Sequence, residues 1–404
     1  MINLEVPAKF KTLLGQSHRV AVEVLRANSR KYDLAEHEYP AELDMLAALV
    51  DGLNASGAGG TGAAGVRRTE GGQDKAGTTR NGTNLSTVLS VLEASWGDVA
   101  LVLSMPRQGL GNAAIASVAN DEQHARFAGV WAAMAITEPG CGSDSAAIRT
   151  TAVRDGEDYV INGEKIYVTA GQRADAVVVW ATLDSSLGRA AIKSFVVEKG
   201  TAGMVVERLE RKLGIRASDT ATIRFTDCRV PAANLLGDPD INAEQGFAGA
   251  MQTFDNTRPL VAAMALGVAK AALDETRQVL AEAGIEVDYD RPALTQPAAA
   301  ATFLQLEADW EGAYLTTLEA AWLADNNKPN SLHASMAKAK AGRSATAITL
   351  RCVQLAGALG YAERSLLEKW ARDAKILDIF EGTQQIQQLI VARRLLGKSS
   401  ADLK

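Results

Sequence analysis

Apolar positions recur at helical spacing along the first and last thirds of the chain and at strand spacing in between. In "PAELDMLAALVDGL" (40–53) they fall three and four apart, with Pro40 suited to a first turn. The same period predicts helices over "NLSTVLSVLEASWGDVALVLSM" (84–105) and "NDEQHARFAGVWAAMA" (120–135), the second N-capped by Asn120 or Asp121. Between these lies a segment rich in glycine and small polar residues (54–82). It is too polar to offset the entropy of ordering, so it reads as a mobile surface loop, and it lacks the phosphate-binding pattern G-x-x-x-x-G-K-[ST]. From about 136 the period shortens. "DGEDYVINGEKIYVTAG" (155–171) carries two hairpin signals, Asp155-Gly156 and Asn162-Gly163, and "DAVVVWATL", "SFVVEKG", "GMVVERL" and "TATIRFTDCRVP" follow as short strands. Helical spacing returns over 257–284, ending at Gly284, then over 297–327, 331–360 and 365–397. The pattern predicts an α+β, mainly α fold: an N-terminal helical domain (1–132), a middle antiparallel β domain (133–240) and a C-terminal four-helix bundle (241–404).

Composition narrows the function. A net charge of -6 disfavours nucleic acid, whose phosphates call for a basic surface. Charges interrupt every apolar run near the N-terminus, so "MINLEVPAKFKTLLGQ" does not read as a signal peptide. No run reaches the ~18 to 20 apolar residues of a membrane span. Cys141, Cys228 and Cys352 lie far apart, as do His18, His37, His124 and His333, which gives neither a metal spacing nor a disulfide framework. A cytoplasmic protein with reduced thiols is the expectation.

Two stretches carry candidate chemistry. "MAITEPGCGSD" (134–144) would expose backbone N–H groups along Pro-Gly-x-Gly-Ser, with the hydroxyls of Thr137 and Ser143 beside them, as a site for an anion or a carbonyl. An ordinary helix-to-strand turn has the same composition. "DIFEGTQ" (378–384) sets Glu381 after an apolar pair and before Gly382. The residues alone allow a solvated helix end or a base aimed into an apolar pocket.

Five stretches in order, "AITEPGCGSD", "INGEKIYVTAG", "SDTATIRFTDCRVPAANLLG", "FDNTRPLVAA" and "RDAKILDIFEGTQQIQQLIVARRLLG", resemble the successive signatures of the flavin-dependent acyl-CoA dehydrogenase family, over roughly residues 85 to 398. That family has the helical, β, helical order drawn above. The resemblance implies FAD between the β domain and the C-terminal bundle, with Ile136, Thr137, Gly142 and Ser143 along it. Tyr167 takes the position of an aromatic residue beside the flavin, with Thr169 two residues on and on the same face of a regular strand; packing in the β core is the alternative for Tyr167. Thr383, Gln385 and Gln354 match positions that contact the dinucleotide. Ser143, Asp255, Arg258 and Gly382 match substrate-side positions.

Glu381 matches the base that removes the α-proton of an acyl-CoA thioester while a hydride leaves the β-carbon. Ile379 and Phe380 should desolvate its carboxylate and raise its pKa, and its backbone N–H is expected to polarise the thioester oxygen. Some members carry the base one residue before the arginine matching Arg258; Thr257 stands there, so no rival carboxylate is present. Small residues such as Ala262, Ala263 and Gly267 would permit a roomy site.

The family pattern breaks in two places. Its R-x-x-F-G, whose arginine reaches a neighbouring subunit's FAD diphosphate, is replaced here, with Ala283 for the arginine and Glu286 for the phenylalanine. Arg291 would substitute only if its loop folded back. Its Gly-Gly pair after the glutamine matching Gln354 becomes Gly357-Ala358. Both positions serve a partner's cofactor, so the resemblance implies an oligomer, with a heterotetramer as the sharper expectation: this chain supplies the base and a related subunit supplies diphosphate contacts. Electron-transfer flavoprotein is the implied acceptor. A non-catalytic structural subunit and an acyl-CoA oxidase are the alternatives.

Overall fold

The computed structural model describes residues 5–55, 82–241 and 248–398, without the side chains of 50–55 and 248–256. The loop expected over 54–82 thus lies almost wholly outside the described residues, and so does the side chain of Asp255. The N-terminal third is helical. Helix α1 (Lys11–Val20) passes through a π-helical turn (Ala21–Arg26) into α2 (Ala27–Leu34), and α3 (Glu42–Ala55), α4 (Thr83–Leu103), α5 (Leu110–Val118) and α6 (Asp121–Arg126) follow. Asn120 caps α6 in a reciprocal box with Gln123, as its sequence suggests. The helix expected over 120–135 stops early, however. A turn at Gly129 releases Ala132–Ala135 as β1, which is buried alongside Ala176–Val179.

The sheet contains β1 (Ala132–Ala135), β2 (Thr151–Asp155), β3 (Asp158–Thr169), β4 (Ala176–Thr182), β5 (Ile192–Glu198), β6 (Met204–Leu209) and β7 (Thr220–Pro231). Spatial order is β1-β4-β2-β3-β7-β6, with β5 also on β4. Pairing is antiparallel except where β1 and β2 meet β4 in parallel. Asp155-Gly156 makes the β2–β3 hairpin, whereas Asn162-Gly163 is no turn: β3 runs through it with a register shift against β7.

The C-terminal part holds α7 (Ala248–Glu282), α8 (Ala298–Asp325), α9 (Ser331–Tyr361), α10 (Leu367–Ala374) and α11 (Gln384–Leu395). The stretch expected as one helix over 365–397 is broken, because a 3-10 turn (Lys375–Asp378) and the residues after it separate α10 from α11. Helix α4 is long enough, and apolar enough on average, to cross a membrane, but Glu93 and Asp98 interrupt its apolar run and most of it is buried within the protein. It packs closely on α7, where a Cβ on Gly267 would come within 2.3 Å of the Leu92 carbonyl oxygen. Ala262 and Ala263 are likewise fully buried. Gly267 thus brings two helices together, and none of the three residues lines the cavity described below.

A buried ionic cluster joins the elements. Asp98 interrupts α4 with φ −164° and restarts it by accepting the Leu101 N–H at 2.8 Å. Its other oxygen accepts from Ser29 and, at 2.6 Å, from Lys369, which also donates to Asp373 at 2.6 Å. Asp373 in turn accepts the Ile215 N–H at 2.6 Å. One lysine thus ties α2, α4, α10 and the approach to β7. Lys369→Met leaves two carboxylates buried without their cation, and its expected cost is about 3–5 kcal/mol. Urea unfolding measures this; an unchanged midpoint would show that the cluster relaxes without loss.

Candidate active site

A cavity of about 1330 Å³ opens between the sheet, α4, the start of α7 and the segment 376–393. That exceeds the ~300 to 1,000 Å³ of an ordinary small-ligand pocket. Leu103, Val261, Met264, Ile376 and Phe380 give it apolar walls, and Thr137, Ser143, Thr169 and Thr383 add hydroxyls.

One wall is the segment after β1, fixed by an ion pair the sequence reading missed. Lys165 is fully buried, and its ammonium donates to the Ile136 carbonyl at 3.1 Å and to Glu138 at 2.7 Å. Glu138 also accepts the Arg149 N–H (2.7 Å), the Thr150 N–H (2.9 Å) and the Thr150 hydroxyl (2.6 Å). Burial raises the Glu138 pKa, but Lys165 and these donors outweigh it, so the carboxyl lies below its ordinary value. The same burial pulls Lys165 down to about 8, with Glu138 opposing. The pair holds Ile136, Thr137, Gly142 and Ser143 at the cavity. Its signal in the sequence is a lysine in a run whose neighbours are strand-like.

Tyr167 and Thr169 also line the cavity, though not by simple alternation. The β3–β7 register shifts between Lys165 and Val168, and Tyr167 adopts φ 57°. That left-handed conformation is unfavourable for a bulky residue and is retained where surrounding structure imposes it. Here Ile166 donates its N–H to Thr137 at 2.9 Å, which binds the bulge to the opposite wall segment. Tyr167 remains 64% exposed, which excludes the core-packing alternative.

Glu381 occupies the break between α10 and α11. Its φ of 53° and the φ of 93° at Gly382 turn the chain by left-handed geometry. A Cβ on Gly382 would lie 2.4 Å from Gln387 Nε2, so glycine fits the position twice over. Gln387 Nε2 donates to the Glu381 and Gly382 carbonyls at 3.1 and 3.3 Å, and Thr383 caps α11 through the Ile386 N–H. The Glu381 side chain projects to the cavity, where Thr257 donates its hydroxyl to Oε2 at 2.5 Å. Removal from water raises its pKa, against the lowering effects of Thr257, Lys338 and Arg258. A solvated helix end is therefore not what the fold builds. Thr257, noted above only for not being a carboxylate, is the partner of the one at 381.

Arg258 is buried at the same wall and donates to Ser335 at 3.4 Å. Two expected residues stand elsewhere. Gln354 lies on an exposed face of α9, paired with Arg351, and Gln385 is exposed on α11; neither reaches the cavity, because each faces outward from its helix. Ala283, Glu286 and Arg291 are exposed as well, and Arg291 donates to the Thr295 carbonyl at 3.1 Å within its own loop rather than folding back on the cavity.

Comparison with known proteins places this geometry. The family model described as acyl-CoA dehydrogenase, middle domain, matches residues 133–228, and that for the C-terminal domain matches 244–396. The mitochondrial short-chain specific acyl-CoA dehydrogenase of Rattus norvegicus is 41% identical over 65% of this chain, a match spanning 62% of the rat protein's length. The cyclohex-1-ene-1-carbonyl-CoA dehydrogenase of Geobacter metallireducens is 40% identical over 67% of this chain and 70% of its own. The butyryl-CoA dehydrogenase structure from Megasphaera elsdenii superposes with a TM-score of 0.82 at 28% identity, covering 98% of this chain and 100% of that one. The chain belongs to the acyl-CoA dehydrogenase family.

Proposed function

We propose that this protein oxidises an acyl-CoA thioester to its α,β-unsaturated product, with Glu381 as the base. The observation that carries the reading is a desolvated carboxylate held by Thr257 and facing a large apolar cavity. A thioester α-proton is weakly acidic, so a base must approach it within hydrogen-bond reach and away from competing water. Desolvation makes Glu381 a stronger base than a free carboxylate, and the Thr257 hydroxyl orients one oxygen. Its backbone N–H is proposed to donate to the thioester oxygen, where negative charge develops.

The cofactor implied by the family is FAD, and the cavity suits it. Hydroxyls of Thr137, Ser143, Thr169 and Thr383 supply the varied donors and acceptors that a flavin edge requires, and the exposed ring of Tyr167 offers a flat apolar neighbour. Ile136, Thr137, Gly142, Ser143, Tyr167 and Thr169 would hold it from the sheet side and Thr383 from α11. When bound, FAD supplies the acceptor for the hydride from the substrate β-carbon. Arg258 and Asp255 are assigned to the substrate side.

Electron-transfer flavoprotein is the proposed acceptor and the cytoplasm the proposed location. The proposed partner is a related subunit that contributes diphosphate contacts, since Ala283 and Glu286 offer no cation at the end of α7. The three zones 1–132, 133–240 and 241–404 are retained as the domain division.

Glu381→Gln is expected to keep ligand binding and lose about 10²–10⁴-fold in turnover, the range for removing a positioned general base. The wild-type kcat/KM should fall on the acid side at a pH above the ordinary carboxylate range, since the active form is the carboxylate and burial raises its pKa. Undiminished turnover in the variant would overturn the assignment. The partner reading has its own test in the visible spectrum of the chain purified alone. A colourless protein that gains flavin on co-expression with a related subunit is expected. One FAD per chain without a partner would overturn it.

A further inference from the structure

Behind Glu381, on the side away from the cavity, lies a lysine that the reaction itself does not use. Lys338 projects from α9, is fully buried and is absent from the cavity lining. Its ammonium donates to the Gly382 carbonyl at 2.6 Å. Burial pulls its pKa down to about 8, with Glu381 and Asp378 opposing and Arg258 adding to the fall. The charged groups facing it are thus Glu381 and Asp378 from the segment between α10 and α11, and Arg258 from α7. Glu381 is faced in turn by Lys338, Arg258 and the Thr257 hydroxyl.

Burying a cation is costly unless a second requirement keeps it there. The left-handed turn at Glu381 and Gly382 has such a requirement. Their carbonyls are turned toward the protein interior, where Lys338 and Gln387 supply the donors. The lysine also sets a positive charge behind the carboxylate without contacting anything in the cavity. Gly342, one turn along α9, lets the helix approach closely enough for this, since a Cβ there would sit 2.8 Å from the Leu377 carbonyl oxygen.

We infer that Lys338 is a positioning residue for the base, anchoring the Glu381–Gly382 turn through the Gly382 carbonyl and holding Glu381 ionisable in an apolar wall. The inference rests on the proposed role of Glu381. It assigns Lys338 two separable actions, a hydrogen bond and a field, and substitutions divide them. Lys338→Gln keeps a donor and removes the charge; Lys338→Met removes both.

The test is the pH profile of kcat/KM for acyl-CoA oxidation by the flavin-loaded protein, with thermal unfolding measured alongside. Loss of the cation raises the Glu381 pKa, so the acid limb should move up by about one pH unit or more in both variants. At alkaline pH the Gln variant should recover to near the wild-type plateau, while the Met variant stays several-fold lower because its turn is unanchored. An acid limb unmoved in Lys338→Gln, with or without a uniform loss of rate, overturns the inference. Two variants that both fail to fold assign Lys338 to stability alone and overturn it as well. If wild-type protein shows no Glu381-dependent oxidation, the parent reading falls and takes this one with it. Loss of turnover in Glu381→Gln beside an unmoved limb in Lys338→Gln refutes only the role of Lys338.

Discussion

A carboxylate facing an apolar cavity is held there only if the backbone beneath it cannot relax toward water. In this protein that constraint is the left-handed pair Glu381–Gly382, which lies in the break between α10 and α11. The break turns two carbonyls inward and aims one side chain at the cavity. Inward carbonyls need donors, and Gln387 and Lys338 provide them. The carboxylate needs a partner that does not neutralise it, and the Thr257 hydroxyl serves. The geometry of α7, α9 and α11 around the site follows from meeting these requirements together.

The opposite wall solves a similar problem with similar parts. Lys165 and Glu138 are buried together so that a loop of exposed backbone keeps one shape beside the cavity. The Asp98–Lys369–Asp373 cluster does the same between the N-terminal helices and α10. All three sites place a buried lysine where segments of different parts of the chain meet. Breaking such a cluster costs more than its net contribution, because the remaining charge is stranded. The arrangement therefore favours specificity of position over stability, as a site that must hold a carboxylate and a thioester in register demands.

The zones of the fold were legible because hydrophobic period changes with element type, and the changes near 136 and 241 are abrupt. What failed was local. Residues 132–135 continue a helical pattern but pair with β4, a tertiary contact that a short apolar run cannot announce. Asn162-Gly163 has turn composition, yet β3 continues through it because β7 lies alongside. Gly267 reads as spare room and is a helix contact. Much of the candidate site was readable through family signatures, which named Glu381, Tyr167, Ile136, Thr137, Gly142 and Ser143, and these residues all line the cavity. Buried cations were not readable. In "MAKAKAG" Lys338 is buried and Lys340 exposed, two residues apart on opposite faces of one helix, and only packing decides which is which.

Direct access to the proposed proton abstraction comes from isotope exchange. The flavin-loaded protein, incubated in D2O with a short saturated acyl-CoA and no electron acceptor, would be compared with Glu381→Gln by mass spectrometry of the recovered thioester. Deuterium at the α-carbon with wild-type protein, and none above background with the variant, is the predicted result. Equal incorporation by both proteins, or none by either, would contradict the assignment of Glu381 as the base.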